Sequence, residues 1–396
     1  MITRQEALAH IGSVPAIGET ETLPLEACVG RILADDVAAR LTHPPAAMSA
    51  MDGYAVPFTE TLSDGPLELI GEAAAGTPFD GIVAPGQCVR VFTGSVIPRG
   101  CDHVIIQEDV RRQDNRIWTE MPQASPRNIR QAGIDFREGQ VLLEAGTRIR
   151  PVHLSICAAG NHASMIVHRR PRVALLTNGD ELKPPGSDLQ PGQIISSNEY
   201  ALMALLRDWG AEVINLGTAR DDPSDIRRRV EDAGNSDVFV PIGGASVGDH
   251  DHMKDVFGRL GFDPVFTKIA IKPGKPTWHS RRGHQYVLGL PGNPASALVC
   301  AHLFLRPLMN ALQGQPANAQ WMQAPLAAPL PANGAREAFQ RGTLARAEND
   351  APSITPASNQ DSSLLTPFVN ANFLIHRPSH APALTAGDMV EGVRLD

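Results

Sequence analysis

The sequence lacks the features that mark membrane, secreted and non-specific nucleic-acid-binding proteins. No apolar run approaches the ~20 residues that a membrane-spanning helix needs, and residues 1–10 contain no apolar core of a signal peptide. The formal net charge is −8, and no long basic tract stands out. This charge pattern argues against non-specific nucleic-acid binding. We therefore expect no membrane span, no signal peptide and no nucleic-acid partner.

Cysteine is scarce as well. The chain has 5 cysteines, an odd number, and they are scattered without a close pair. Such spacing argues against a disulfide framework and against a zinc site, which need paired or clustered cysteines. We expect free thiols and a cytoplasmic location.

Glycine and proline, in contrast, are abundant. The sequence has 35 Gly and 33 Pro, together 68 of 396 residues. That share of 17% lies above the ~12% of average proteins but below the ~25–30% typical of disorder. The chain is therefore a folded protein with many turns, and turns often carry functional sites. Its length, at about 150 residues per domain, predicts two to three domains.

The first 168 residues predict helices at the start and short strands afterwards. Thr3 and Glu6 match a capping box for a first helix, and Leu25, Val29 and Leu33 predict a second helix over 25–34. From residue 49 to about 143, short apolar pieces alternate with turn residues, which predicts a small β-rich domain. These pieces are 67–70, 88–92, 103–106 and 116–118.

Residues 172–312 alternate between apolar strands and amphipathic helices. Helix starts are indicated by a capping box at Ser196, by Asp222 before a proline, near His252, and by Asn293 before a proline. The predicted strands are 172–176, 212–216, 237–240 and 285–290. This alternation predicts a doubly wound α/β domain, in which ligands bind beyond the carboxyl ends of the strands. Residues 314–330, rich in Ala, Gln and Pro, suggest a linker to a small β domain.

Two loops at these strand ends contain acidic residues. Asp180 and Glu181 follow the first strand, where they could bind Mg²⁺ or a ribose, or form a solvated turn. Gly243 and Gly244 follow the third strand and precede Asp251. Such glycines let backbone amides approach an anion, with carboxylates holding Mg²⁺ beside it, although an ordinary capped turn has the same pattern.

Two later loops carry groups that suit anions. Lys272 and Lys275 lie on a chain stiffened by prolines, which favours a rigid oxyanion or phosphate site over an ordinary central strand. A solvated loop is the alternative. Asn293 and Pro294 predict a helix start whose free amides attract anions, or serve only as a cap. Together the four loops predict a nucleotide or phosphate site that uses a divalent cation.

The motifs of the whole chain resemble those of the molybdopterin molybdotransferase (MoeA) family, which includes the C-terminal region of gephyrin. No single motif is specific, but their shared order over nearly the whole chain is. They are MSAMDGYAV (48–56), VFTG (91–94) with PRGCD (98–102), NIR (128–130), GDEL (179–182), GGASVG (243–248), KPGKP (272–276) and LPGNP (290–294).

This resemblance implies a multidomain α/β and β protein that forms an elongated homodimer. The α/β domain, 169–313, would have the molybdopterin adenylyltransferase fold. A β-rich domain, 49–140, would be inserted into a discontinuous linking domain made of 1–48 and 141–168. Residues 314–396 would form a small C-terminal β-barrel domain.

The resemblance also implies the reaction. Family members take adenylylated molybdopterin and molybdate, cleave the adenylate with the help of Mg²⁺, and release AMP and molybdenum cofactor. A molybdopterin adenylyltransferase is a possible partner. Cleavage of a pyrophosphate link calls for charge neutralisation rather than a protein nucleophile.

Roles carried over from the family fall on particular residues of the C-terminal two thirds. Glu181, Asp222 and Asp251 would be catalytic and place Mg²⁺, substrate or water, with Glu181 and Asp251 as metal ligands. The residues expected to bind substrate are Asp180, Gly243, Gly244, Ser246, Lys272, Lys275, Asn293, Arg336 and Ser363. Within that set the two lysines would attract molybdate, and Arg336 and Ser363 are the preferred matches to the arginine and serine of the family's C-terminal domain.

Three further residues, Asp52, Thr93 and Arg130, lie outside the α/β domain. The family places them across the dimer cleft, where Asp52 would act in catalysis while Thr93 and Arg130 contact substrate. Without the resemblance they would be turn residues of a β domain. Asn178 stands where the family usually has glycine, and it is compatible with the turn because Asn tolerates a positive φ.

Three alternative functions stay open. The chain could be a scaffold of the same fold, but retention of residues such as Asp52, Lys272 and Lys275 argues against loss of chemistry. An adenylyltransferase would need only the α/β unit. A tungstate-inserting relative is harder to separate, because molybdate and tungstate differ little in size and charge.

Overall fold

The computed structural model describes residues 1–62, 65–120, 124–244, 252–317, 321–345 and 352–395. It divides into two compact units. One is Thr22–Val167, called here the 22–167 unit; the other, called the main unit, combines Met1–Glu21 with His168–Asp396.

The 22–167 unit is built mainly from one six-stranded sheet. Its strand Gly53–Val56 is antiparallel to two neighbours. The consecutive residues Tyr54 and Ala55 belong to different apolar clusters, so both faces of the sheet are covered. The order across the sheet is His103–Ile106, Gly53–Val56, Gln87–Val91, Leu67–Ala73, Arg116–Thr119 and Val110–Gln113. The predicted β-rich character of this region is confirmed.

The remainder of this unit consists of one α-helix, short strands and single 3₁₀ turns. The helix Pro151–Ala159 begins with a proline, whose fixed φ suits the first helical position. The strands are Val37–Ala38, Met48–Ser49, Ile129–Arg130 and Val141–Leu143, together with Thr20–Pro24 and Ser164–His168, which lie only partly within the unit. The turns are Leu25–Ala27, Phe58–Leu62 and Gln107–Asp109.

The helix predicted over 25–34 is wrong. Only the turn Leu25–Ala27 is helical, and Gly30 then adopts a φ of 80°, which ends any right-handed helix. Leu33 is extended and bridges to Val167, and Val29 is exposed. The spacing of four apolar residues in this segment thus reflects separate contacts rather than one helical face.

The main unit begins with the predicted N-terminal helix, Arg4–Gly12. Thr3 Oγ1 accepts a hydrogen bond from Glu6 N at 3.2 Å, and Glu6 Oε2 accepts one from Thr3 N at 2.8 Å. This reciprocal pair satisfies two backbone donors that a helix start otherwise leaves open, so the capping box is confirmed.

The centre of the main unit is a six-stranded sheet with helices on its faces. The strands are β1 (Arg172–Asn178), β2 (Glu212–Ala219), β3 (Val238–Ile242), β4 (Asp263–Phe266), β5 (Trp278–Arg282) and β6 (Gln285–Gly289). The helices are α1 (Asn198–Asp208), α2 (Pro223–Asp232), α3 (His252–Arg259) and α4 (Pro294–Leu312). A short parallel pair, Leu182–Lys183 with Ile194–Ile195, lies between β1 and α1.

The order across this sheet is β2-β1-β3-β6-β5-β4. The pairs from β2 to β6 are parallel, while β5 and β4 add an antiparallel edge that the sequence patterns did not predict. The chain leaves β1 toward β2 on one side and later reaches β3 on the other. That reversal opens a crevice at the carboxyl ends of β1 and β3, the usual ligand position in such sheets. The doubly wound α/β fold is confirmed.

Helix α1 begins later than predicted. Its N-cap is Ser197 rather than Ser196, because Ser196 N donates instead to Lys183 O at 2.8 Å and continues the short parallel pair. Glu199 is buried and accepts a bond from Thr177 Oγ1 at 3.4 Å. The expected apolar face is confirmed, since Leu202 and Leu206 are fully buried.

Helix α4 is the apolar centre of the main unit. Among the described helices, it alone has the length and composition of a membrane span, but 83% of its most apolar window is buried within the protein. Burial on this scale is typical of a core helix. A π-helical segment, Ala301–Leu305, interrupts it without ending it.

The C-terminal part of the main unit is a second mixed sheet. Its strands are Trp321–Pro325, Glu337–Ala345, Ser353–Pro356, Phe373–Arg377 and Met389–Arg394, with Ile271–Lys272 added at one edge. Trp321–Pro325 pairs with Met389–Arg394, so this stretch belongs to the sheet, and the interpretation of 314–330 as a linker is wrong there. Ala324 is buried in the sheet's core, which the local composition did not indicate.

Candidate functional site

A cavity of about 1230 Å³ opens at the carboxyl ends of β1 and β3. All of the described residues that line it belong to the main unit. Its volume exceeds the ~300–1,000 Å³ of a pocket for one drug-sized ligand, so it has room for an extended ligand or for two. Of the residues predicted for the site, the cavity brings together Glu181, Gly243, Gly244, Lys272, Lys275, Asn293, Arg336 and Ser363.

The ends of β1 and β3 supply backbone and a carboxylate to this cavity. Gly243 and Gly244 have φ values of 83° and 65°, which L side chains rarely adopt, and the chain turns sharply there. Glu181 lines the wall beyond β1. Asn178 also lines it, as the last residue of β1, and Gly179 takes the positive φ of the turn.

Asp180 and Asp222 lie apart from the described lining residues. Asp180 Oδ1 accepts a hydrogen bond from Asp221 N at 3.3 Å. Asp222 is the N-cap of α2, as predicted, and its carboxylate accepts bonds from Ser224 N at 3.0 Å and Ser224 Oγ at 2.6 Å. The Ser224 hydroxyl and amide thereby hold the pKa of Asp222 below its usual value. The geometry gives Asp222 a capping role, and its catalytic role stays a prediction.

The register of two strands places lysine and arginine side by side. Ile271–Lys272 runs parallel to Glu337–Ala345, with Lys272 opposite Ala338. Arg336 immediately precedes that strand, and its Nη1 donates to Ile271 O at 3.1 Å. The segment 268–275 therefore brings its lysines to the same cavity as an arginine that is more than 60 residues away in sequence.

Sequence reasoning missed two of the cavity's cations. Lys254 and Lys268 also line it, in addition to the predicted Lys272, Lys275 and Arg336. The carboxylates among the described lining residues are Glu181 and Asp361. The lining thus has an excess of positive charge, which favours anionic ligands. Lys268 lies outside the KPGKP motif, so spacing alone gave no signal for it.

The start of α4 is tied to a loop of the C-terminal sheet region. Asn293 occupies the N-cap position, as predicted, but its Nδ2 donates to Ser362 Oγ at 3.0 Å. Ala295 N donates to Ser362 O at 3.0 Å, so one of the helix-start amides expected to attract an anion already has a partner. Asn293 therefore positions the 359–363 loop at the cavity wall.

Ser362 and Ser363 both line the cavity, but their hydroxyls differ. Ser363 Oγ donates to Asp361 Oδ1 at 2.6 Å, and Ser363 N donates to the same oxygen at 2.8 Å. These two bonds lower the pKa of Asp361. Ser362 Oγ accepts from Asn293, which leaves its own proton for another acceptor. Ser362, which sequence reasoning passed over, is thus the better donor to an oxyanion.

Arg341 is another residue that sequence reasoning missed, and its side chain holds the 359–363 loop. Its guanidinium donates to Asp361 O and Leu364 O at 2.9 Å each, and to Asn359 O and Gln360 Oε1 at 3.3 Å each. The side chain is buried, so carbonyl oxygens rather than water surround the charge. The sequence around it, Phe339-Gln340-Arg341, gave no sign that the residue holds a distant loop.

The 22–167 unit contains the other predicted site residues. Asp52 Oδ1 accepts bonds from Thr93 N at 2.8 Å and Thr93 Oγ1 at 2.9 Å. These bonds, the backbone one first, hold the pKa of Asp52 below its usual value. Arg130 is exposed in the strand Ile129–Arg130, which pairs with Met48–Ser49 of the same motif region. The two hydrogen bonds from Thr93 thus bring Asp52 and Thr93 together.

Two predicted residues, Ser246 and Asp251, lie outside the described residues. Within the described part of the chain, no group of three or more His, Cys, Asp or Glu side chains is arranged to hold a metal ion. The predicted metal pair of Glu181 and Asp251 therefore stays a prediction.

Comparison with known families covers almost the whole chain. Residues 2–160 match the MoeA N-terminal region (domain I and II), 174–311 match a probable molybdopterin binding domain, and 323–395 match the MoeA C-terminal region (domain IV). A molybdopterin molybdenumtransferase of Haemophilus influenzae is 34% identical over 98% of this chain and 98% of its own length. The chain belongs to the MoeA family.

Other MoeA-family proteins support the same assignment. A molybdopterin molybdenumtransferase of Nostoc is 37% identical over 75% of this chain and 70% of its own length. The crystal structure of a molybdopterin biosynthesis MoeA protein from Pyrococcus horikoshii matches with a TM-score of 0.86 at 29% identity, covering 100% of this chain and 99% of that one. The resemblance predicted from the motifs and the multidomain α/β and β fold are thus both confirmed.

Proposed function

We propose that this protein is a molybdopterin molybdenumtransferase, which inserts molybdate into adenylylated molybdopterin and releases AMP and molybdenum cofactor. Relatives of that name at 34% and 37% identity support the assignment. The observation that carries it is the cavity at the end of β1 and β3, where an α/β nucleotide crevice joins a cluster of cations. An anionic substrate and a second, smaller anion are the ligands that such a lining favours.

The cationic part of the cavity is the proposed molybdate site. Molybdate is a tetrahedral dianion, so it needs positive charge and donors arranged around it. Lys272, Lys275 and Arg336 supply the charge, and the Ser362 hydroxyl supplies a donor whose oxygen is fixed by Asn293. Ser363 lies beside it, with its hydroxyl directed to Asp361.

The crevice between β1 and β3 is the proposed site for the adenylylated pterin. Gly243 and Gly244 let the chain approach the ligand closely, and Ser246 follows them in sequence. Asp180 remains a candidate for a ribose or water contact near the same turn. The reaction breaks the phosphorus–oxygen bond between AMP and the pterin phosphate, so the main task of these residues is to neutralise charge that develops on oxygen.

Mg²⁺ is a proposed cofactor. It usually binds proteins through one or two carboxylates and takes its other ligands from phosphate oxygens and water. Glu181 at the cavity wall fits that pattern, and Asp251 is the proposed second carboxylate. When bound, the ion would neutralise phosphate charge during adenylate cleavage.

We further propose a homodimer that works in the cytoplasm. Asp52, Thr93 and Arg130 would then act on substrate held by the partner copy, as the family resemblance implies. Asp222 is proposed to help place Mg²⁺, substrate or water. The fixed and ionised carboxylate of Asp52 supports a role in catalysis.

The five free cysteines support a reducing compartment. An adenylyltransferase that supplies the substrate is a proposed partner.

A direct assay tests the function. Purified protein is mixed with adenylylated molybdopterin, molybdate and Mg²⁺, and AMP and active cofactor are measured. We expect AMP release that depends on molybdate and stops when EDTA removes Mg²⁺. AMP release with tungstate alone would assign the protein to tungstate insertion. No release with either oxyanion would contradict the transferase and favour a scaffold role. Sedimentation in the same buffer tests the dimer.

A further inference from the structure

The turn that carries Asp52 is held by one arginine, Arg90. Gly53 must remain glycine, because a Cβ there would lie 2.0 Å from Ile105 O of the neighbouring strand. This close approach places the Asp52–Gly53 peptide between the strands Gln87–Val91 and His103–Ile106. The carbonyl oxygens of Asp52 and Gly53 both accept hydrogen bonds, and the two donor residues are themselves hydrogen-bonded to each other.

The network is closed around that peptide. Arg90 Nη1 donates to Gly53 O at 3.2 Å, and Arg90 Nη2 donates to Gln107 Oε1 at 2.6 Å. Gln107 N then donates to Asp52 O at 3.1 Å. The two residues thus fix both sides of the turn, while Thr93 fixes the carboxylate itself.

Aromatic side chains hold the arginine in turn. The guanidinium carbon of Arg90 lies 5.0 Å from the ring centroid of Tyr54 and 5.0 Å from that of Phe92. Tyr54 is opposite Arg90 in the strand register and is buried. Cation–π contacts on two rings restrict a side chain that would otherwise have many rotamers. These contacts make the half-buried Arg90 side chain a restrained brace for the turn.

We propose that Arg90, with Gln107, is a positioning residue for the reaction: it holds the Asp52 turn so that the carboxylate keeps a single orientation toward substrate. This inference rests on the proposed function, because Asp52 matters only if the transferase reaction occurs. Arg90 acts through Asp52 and need not touch the substrate.

The test compares Arg90→Met with a matched control, Arg111→Met. Arg111 lies in the same sheet and also covers an aromatic ring, that of Trp118 at 4.4 Å, but it lies in the edge strand farthest from the Asp52 turn. We expect Arg90→Met to lower kcat about tenfold, because small misplacement of a catalytic group has effects of this size, while KM for both substrates changes less than about threefold. Arg90→Lys should restore part of the rate, and Arg111→Met should leave it unchanged.

A double variant separates positioning from direct contact. In the Asp52→Asn background, Arg90→Met should cause less than about twofold further loss, since groups that act as a unit are not additive. A loss in that background equal to the loss in the wild type would overturn the inference. So would an unchanged rate in Arg90→Met, or an equal loss in Arg111→Met.

A second readout does not depend on turnover. The carboxyl signal of Asp52, followed by NMR through a pH titration, should titrate at higher pH in Arg90→Met than in the wild type, because the guanidinium is one of the causes that lower the pKa of Asp52. An unchanged titration would count against the brace even if the protein had no transferase activity. Absence of activity in the wild type with a shifted titration would instead contradict the proposed function alone.

Discussion

Asn293 Nδ2 donates a hydrogen bond of 3.0 Å to Ser362 Oγ, and so joins the start of α4 to the loop that follows the strand Ser353–Pro356. The two residues are 69 positions apart in sequence. Ala295 N reinforces the link by donating to Ser362 O. The α/β fold and the C-terminal sheet region therefore share one cavity wall.

Replacing Ser362 tests the proposed oxyanion site. Ser362→Ala removes the hydroxyl whose proton is available, and we expect KM for molybdate to rise about tenfold, the size of a lost hydrogen bond to a charged group. KM for adenylylated molybdopterin should change little. Rates of AMP release over a series of molybdate concentrations check this.

Ser363→Ala is the matched control, because the Ser363 hydroxyl already donates to Asp361. Its effect on KM for molybdate should be smaller than that of Ser362→Ala. The opposite ranking would assign the oxyanion contact to Ser363, as the sequence motif had indicated.

Arg341 tests whether molybdate binding depends on how the 359–363 loop is held. Arg341→Met removes four donors to residues 359–364, and we expect weaker molybdate binding, by about tenfold in KM, because the loop no longer presents Ser362 in a fixed position. Arg341→Lys should recover little, since a lysine cannot reach several carbonyls in a planar fork.

Arg377→Met controls for the loss of a buried arginine as such. Arg377 lies in the next strand, is equally buried, and donates to Pro331 O and Pro382 O rather than to the cavity loop. Both variants should lower the thermal unfolding midpoint, but only Arg341→Met should raise KM for molybdate. Equal KM values in the two variants would show that Arg341 has no specific link to the site.

The charge of the cavity predicts a dependence on salt. Lys272→Gln and Arg336→Gln each remove one positive charge from the lining, so KM for molybdate should rise about three- to tenfold and become less sensitive to ionic strength. Lys183→Gln is the control, because Lys183 is not among the described lining residues. If Lys183→Gln had the same effect as Lys272→Gln, general charge rather than the cavity would explain the binding.

The sequence predicted the parts of this protein that depend on local pattern. A buried apolar run such as β1, and capping residues such as Thr3 and Asp222, can be recognised from a few neighbouring residues. The motif order likewise identified the family. The hydrogen bonds between Asp52 and Thr93 were not predicted; they arise because the strand pairing places the two turns at one end of the sheet.

Long-range contacts were beyond that reasoning. Nothing near Arg341 indicates a loop 20 residues later, and nothing near Lys268 indicates that Ile271–Lys272 would pair with Glu337–Ala345. The helix prediction for 25–34 was wrong for the same reason. The apolar residues of this segment contact separate neighbours, and Gly30 with its positive φ prevents a helix. Ser362 and Ser363 differ only through their partners, Asn293 and Asp361, which become visible in three dimensions.

The contact between Thr93 and Asp52 predicts how activity depends on pH. Thr93 lowers the pKa of Asp52, through its backbone N–H first and its hydroxyl second. The carboxylate is therefore ionised over the neutral range, and its contribution is lost only as the pH falls through the lowered pKa. Thr93→Val keeps the amide but removes the hydroxyl, so the pKa of Asp52 should rise part of the way toward its usual value. We expect the acid limb of the kcat profile to move to higher pH, with the neutral and alkaline plateau retained.

The same sign holds for stability: the contribution of this contact is present above the pKa of an unfolded Asp and declines below it. Profiles of kcat between pH 3 and 8, with Thr119→Val in the same sheet as the control, measure the shift. A profile of Thr93→Val that overlays the wild type would show that Asp52 does not control the acid limb.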